Sequence, residues 1–240
     1  MLTKKTSLFL LILMYSFIAG AQEMHIHNDQ PSIFYPVPYE EKKWQYSIGL
    51  TLITTPHEIT EEAQYHLPAG DFHFTGRAYK KLYLEGRVKF QVFQNHLSLG
   101  PRLVFQLSEK TSLAIADEQA FWFGWLNIEG FNTRAYGFLN YPSISIGYQS
   151  SRDFLVTLKS ELLINQYFIS FAGRSEVVSD RNLLSGYAFG LILEQPFFKD
   201  KHLAVGFRTI YTDFHWQTWV LQPTFERLIF YPEIIVGFIL

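Results

Sequence analysis

The chain has 240 residues, 18% aromatic and 18% charged, with no cysteine and a formal net charge of −2. The missing cysteines exclude a disulfide framework and a Cys-ligated metal site. No basic block stands out along the sequence, so nothing directs the chain to nucleic acid.

Residues 1–21 read as an export leader. Lys4 and Lys5 form a basic start, Ser7 to Ala19 an apolar run, and Ala19-Gly20-Ala21 the small residues before a cut. The run is short for a spanning helix, which needs about 20 residues. A mature chain starting at Gln22 is expected, with a net charge of −4 from 18 basic and 22 acidic residues. Residues 22–43 hold Pro31, Pro36 and Pro38 and no stable period. They read as an extended lead-in.

From Trp44 the pattern changes. Trp44, Tyr46, Ile48, Leu50 and Leu52 alternate with Gln45, Ser47, Gly49 and Thr51. A period of two means a strand with one apolar face. The pattern returns over Leu82–Val92, and, after a tight turn read at Asn95-His96, over Leu97–Leu107. It returns again over Tyr136–Tyr148, Phe154–Ile164, Tyr187–Leu193, Leu203–Tyr211 and Phe230–Leu240. That makes eight strands. The links after the first, third, fifth and seventh are long (56–73, 108–133, 170–184 and 213–229), and the links between them are short. Two apolar aromatic stretches inside these loops, Phe121 to Ile128 and Trp216 to Gln222, either prolong neighbouring strands or raise the count to ten.

The expected fold is therefore all-β: an antiparallel up-and-down barrel over residues 44–240, with eight strands, or ten as the alternative. Short turns at one end and long loops at the other are a feature of transmembrane barrels. A soluble barrel also alternates, with its apolar face inward. The apolar faces here are nearly free of charge over whole strands. The opposite faces carry Lys81, Glu85, Arg87, Lys89, Arg102, Lys159, Glu161, Glu194, Arg208 and Glu233. Aromatic residues also recur near strand ends, with Trp44, Phe93, Tyr148 and Phe154 at one end and Tyr136, Tyr187, Tyr211 and Phe230 at the other. Two such girdles fit the two headgroup levels of a bilayer.

On this pattern the chain resembles the small bacterial outer-membrane barrels of the eight-stranded architecture shared by the OmpA membrane domain, OmpX, OmpW and PagP. The resemblance is one of pattern rather than motif. It implies export to the Gram-negative outer membrane, a periplasmic lead-in, lipid and lipopolysaccharide around the barrel, and folding by the barrel-assembly machinery. Members usually end on an aromatic residue. This chain ends on Leu240, with Phe238 as the nearest aromatic on the same face.

An eight-stranded lumen is just wide enough for side chains to fill. The ten charges listed above are expected to face inward as a plug of ion pairs, because an unpaired buried charge is expensive. A narrow channel or transporter for small apolar molecules is the alternative. Phe121, Trp122, Phe123, Trp125, Trp216 and Trp219 form a candidate loop patch for an apolar ligand, lipopolysaccharide or a protein. Barrels that modify lipid A share the overall plan. The catalytic candidates for such an activity are Asp213 and His215, with Ser185 in the neighbouring loop. No catalytic signature surrounds them, and a non-enzymatic role is the expectation. His57, His66 and His73 fit no compact ligand spacing and read as part of a solvated acidic loop. No metal or cofactor is expected, since the phosphate-loop and dinucleotide fingerprints are both missing.

Overall fold

The structure is a computed structural model that describes residues 32–36, 44–60, 65–128, 131–150, 154–180, 184–198, 201–213, 219 and 227–240. Residues 1–21, read as an export leader, and all of residues 22–43 except 32–36 lie outside the described residues. Eleven strands follow one another: β1 (Trp44–Thr54), β2 (His66–Tyr79), β3 (Leu82–Phe90), β4 (Gln94–Gln106), β5 (Thr111–Ile128), β6 (Phe131–Gln149), β7 (Leu155–Ala172), β8 (Ser175–Asp180), β9 (Gly186–Phe198), β10 (Lys201–Thr212) and β11 (Ile229–Ile239). A single-turn helix, α1 (His57–Thr60), sits between β1 and β2.

Ten of these strands close a barrel. Each pairs antiparallel with its neighbour in the chain, except that β7 skips β8 and pairs through its lower half with β9. The six-residue β8 folds back only on the upper part of β7. The barrel closes where β11 meets β1, with Ile48 opposite Phe238 and Leu50 opposite Val236. Closure leaves no strand edge open along this seam, which matters wherever water cannot satisfy a bare edge.

The count of eight is thus corrected to ten, the stated alternative. The two added strands are β2 and β5, in segments read as loops. Strand β2 carries Gly70 and Gly76 on its outer face, leaving Phe72 and Phe74 as the main apolar signal. Its turn to β3 is Lys80-Lys81, where Lys80 takes a φ of 43° without the Gly or Asn that usually marks such a turn. In β5 the inner face is also apolar, with Ala114, Ala116, Ala120 and Trp122, while the outer face carries Asp117 and Gln119. The period of two is blurred from both sides. The stretch Phe121 to Ile128 is the upper part of β5 rather than an extension of a neighbour. Asn95-His96 is no turn but the start of β4. The true link, Gln91–Phe93, lies at the same end as α1, opposite the turns that join β6 to β7 and β9 to β10. Phe93 therefore belongs to the upper girdle, not the lower one.

Alternation sends the large apolar side chains outward. Leu50 is 64% exposed and Ile48 55%, and Phe207, Val205, Ile234 and Leu158 are also exposed. The outer surface is tiled by ring-over-glycine contacts. A Cβ at Gly70 would meet the Phe90 ring, one at Gly76 the Trp44 ring, and one at Gly86 the Phe74 ring. Glycine here makes room for an aromatic neighbour on the next strand.

Candidate functional site: a lumen lined in three layers

The middle layer is ionic. Asp71 on β2 binds Arg87 on β3 at 2.5 Å, and Arg87 reaches Glu233 on β11 at 3.3 Å. Lys89 also binds Glu233, and Arg208 on β10 binds it at 2.8 Å. Arg208 then bridges to Glu161 on β7 at 2.6 Å. From Glu161 the chain of charges continues to Lys159 at 3.1 Å and on to Glu118 on β5 at 3.2 Å. Glu233 is fully buried and shared by three cations. Thr51 donates to Asp71 and Ser98 to Glu118, at 2.6 Å in the second case. Strand alternation makes this layer possible, because every second residue of adjacent strands points to the axis. Charges taken out of water need such pairing.

The lower layer is a piece of the lead-in. Residues 32–36 enter the lower mouth and are gripped from both sides. Glu194 on β9 accepts the backbone N–H groups of Ile33, Phe34 and Tyr35 at 2.8, 3.2 and 2.7 Å. Arg102 on β4 donates to the Ile33 and Phe34 carbonyl oxygens at 2.9 and 2.7 Å, and to Glu85 at 3.2 Å. Ile33 packs on Ala204 and Ile239. The Tyr35 ring lies over Gly147, where a Cβ would meet it at 2.6 Å. Its hydroxyl donates to the Lys110 carbonyl at 3.2 Å and accepts from Ser112 at 3.3 Å. Burial pushes the Tyr35 phenol above its ordinary value, with the Ser112 hydrogen bond opposing and Glu194 reinforcing the shift.

The upper layer is apolar. Ile53, Trp122, Leu139, Leu163, Phe168, Ile210, Trp219 and Tyr231 pack as one cluster. Trp122 and Trp219 meet edge to face at 5.9 Å, and Trp122 and Phe168 lie at 5.6 Å. Gly124 gives Trp219 its seat, since a Cβ there would come within 2.5 Å of the indole. Between the ionic layer and the lower segment a cavity of ≈ 80 Å³ remains, lined by Phe34, Arg87, Tyr141, Lys159 and Arg208 among others. That is room for several water molecules.

Of the ten charges read as lumenal, nine line this interior. Lys81 does not. It sits in the β2–β3 turn, with its ammonium 6.0 Å from the centre of the Phe105 ring. Asp71 and Glu118 fall in the segments read as loops, 56–73 and 108–133, and belong to the network. His73, read as part of a solvated loop, lies in the lumen with its ring nitrogen 3.1 Å from Asp71. His66 opens β2 beside Thr54.

The aromatic patch divides. Trp122 and Trp219 are 0% and 3% exposed and pack inside the lumen, so they present no surface to a ligand. Phe121, Phe123 and Trp125 face outward on β5, where they line an open groove of ≈ 580 Å³ with Arg134 and Tyr136 of β6. Trp216 and His215 lie outside the described residues. Ser185 is buried, and its carbonyl oxygen accepts from the Asp213 backbone at 2.9 Å and the Thr212 hydroxyl at 2.8 Å. Ser185 and Asp213 are thus neighbours through the backbone. Among the described residues no group of His, Asp and Glu is arranged to hold a metal ion.

No family profile and no curated relative matches the chain. Solved barrels are similar to it at low identity. The translocator domain of the autotransporter NalP from Neisseria meningitidis shares 9% identity at a TM-score of 0.45, over 84% of this chain and 89% of that one. The NanC porin shares 7% at 0.41, over 80% and 98%. The KdgM porin shares 10% at 0.37, over 80% and 97%. Likeness at this level carries nothing about cargo or activity.

Proposed function

We propose that the chain is an integral bacterial outer-membrane β-barrel with a plugged lumen and a structural or surface-binding role. One observation carries this reading: the barrel is inside out relative to a soluble one. Its ionic network lies on the axis, and its Leu, Ile, Val and Phe side chains face outward from most of its strands. Water around that belt would leave a large apolar surface exposed, and lipid would cover it. In this reading lipid and lipopolysaccharide surround the belt, the barrel-assembly machinery folds the chain, and residues 1–21 export it. Residues 32–36 then stopper the periplasmic mouth. The eight-stranded OmpA-type architecture is not part of the reading, since the barrel has ten strands.

A second reading is a narrow channel or transporter for small apolar molecules, which conducts only when all three layers part. It is favoured by the cavity between the ionic layer and residues 32–36. Migration on gels tests the first reading: a refolded barrel should run faster unboiled than boiled, and equal mobility would defeat it. Planar-bilayer recording separates the two. A silent intact chain supports the plugged barrel. Conductance steps in the intact chain would replace it with the channel.

A further inference from the structure

The outer belt is apolar at mid-height nearly all the way round, with Leu50, Phe72, Val88, Leu191, Phe207 and Val236 exposed or half-buried there. On β5 and β6 it is not. Asp117 and Gln119 are exposed on the outer face of β5, and their ladder partners on β6 are Pro142 and Asn140. Pro142 lies halfway along β6 between outward-facing Tyr148 near the lower end and Tyr136 near the upper, so Asp117 sits at the middle of the belt. Among the described residues Asp117 enters no ion pair. The Asn140 side-chain oxygen is shut from solvent and has no hydrogen-bond partner. A carboxylate and two amides facing hydrocarbon are costly, and such groups normally find protein partners.

We infer that the outer wall of β5 and β6 docks a second copy of this chain, forming a two-fold dimer within the membrane. The inference rests on the outer-membrane reading. The wall is self-complementary. Asp117 is an acceptor, and Gln119 and Asn140 carry amide donors one ladder step above it. A two-fold axis along the membrane normal keeps both copies at the same height. The Asp117 carboxylate of each copy then takes amide hydrogens from the other. The same face continues upward into the groove lined by Phe121, Phe123, Trp125 and Tyr136. Strands β5 and β6 have 18 and 19 residues, against 11 for β1 and 12 for β10. The wall is therefore tall enough to extend the contact above the belt with aromatic side chains.

The native sequence has no cysteine, so single cysteines report without background. Ile115→Cys and Phe121→Cys flank the polar pair on this wall, and Phe207→Cys lies on the far side of the barrel. Oxidation in isolated outer membranes should give a disulfide-linked dimer for the first two and none for the third. In lipid nanodiscs the wild-type mass should be that of a dimer, and Asp117→Leu should raise the dissociation constant by 10-fold or more while the gel shift on boiling persists. Equal cross-linking of all three positions would mark random collision and overturn the proposal. A membrane-embedded wild type that is monomeric, or an Asp117→Leu dimer of unchanged affinity, would overturn the dimer alone. Release of the wild type into the soluble fraction by alkaline carbonate would overturn the outer-membrane reading along with it.

Discussion

Glu194 on β9 holds Tyr35 of the lead-in by its backbone N–H at 2.7 Å, across a sequence separation of 159 residues. The same carboxylate takes the Ile33 and Phe34 N–H groups, so three consecutive donors converge on one buried side chain. Hydrogen bonds to a charged acceptor are worth roughly 1.5–3 kcal/mol each. The grip of Glu194 is therefore enough to decide whether residues 32–36 stay in the mouth.

Glu194→Gln should loosen that segment without unfolding the barrel. The amide keeps one acceptor oxygen and offers donors where N–H groups already point inward. Loss of even about 1.4 kcal/mol raises the released fraction tenfold. Protease added to the refolded protein should then cut within residues 22–43 about ten times faster than in the wild type, leaving a protected barrel fragment. An unchanged cleavage rate would show that Arg102 and the Tyr35 seat hold the segment unaided.

Glu233→Ala attacks the ionic layer at its hub. It strips Arg87, Lys89 and Arg208 of a shared partner inside the lumen. Removing one member of a buried pair typically costs about 3–5 kcal/mol. The urea midpoint of the barrel in lipid should fall accordingly, and Glu233→Gln should fall less because it keeps hydrogen-bonding capacity. A surface control, Lys110→Ala, should leave the midpoint in place. If Glu233→Ala behaves like that control, the network contributes little to stability.

Most of this network was legible in the sequence, because strong alternation fixes the side of the wall on which a residue falls. Glu233 stands in an apolar run, and its opposite parity to Ile234 and Val236 already placed it inward. Asp71 and Glu118 were not legible. Asp71 lies on a strand whose outer face is half glycine, and Glu118 on one whose inner face is largely alanine and tryptophan. In both, the residues that pack against neighbouring strands erase the contrast between faces. The seat of residues 32–36 could not be read either. Ile33 to Tyr35 are held through backbone groups, and backbone groups leave no trace in side-chain pattern. A similar blindness split the aromatic patch: Trp122 and Phe123 are adjacent in sequence, and only the register of β5 sends one to the axis and the other outward.

The upper layer predicts a coupling between two tryptophans. Truncating a buried aromatic to alanine typically costs about 3–5 kcal/mol, and an edge-to-face pair adds about 0.5–1.5 kcal/mol beyond area. Trp122→Ala and Trp219→Ala should each destabilise the barrel, and the double variant should cost less than the sum of the two. Strict additivity in unfolding midpoints would show that Trp219 does not sit on Trp122. Gly124→Leu fills the Trp219 seat and should expose that indole, seen as a red shift in fluorescence emission.

The ten-strand count has its own test, independent of stability. Ile48 on β1 lies directly opposite Phe72 on β2, and Phe72 lies directly opposite Val88 on β3. Directly paired residues have Cα atoms about 4.5–5.5 Å apart, within reach of a disulfide. With β2 between them, Ile48 and Val88 are separated by two strand spacings, about 9.6 Å, beyond the roughly 7 Å limit for bridging. In the cysteine-free background, Ile48→Cys with Phe72→Cys should oxidise to an intramolecular bridge in the folded protein. Ile48→Cys with Val88→Cys should not. The reverse pattern would put β1 beside β3 and return β2 to a loop, and with it Asp71 would leave the lumen and Arg87 would lose its 2.5 Å partner.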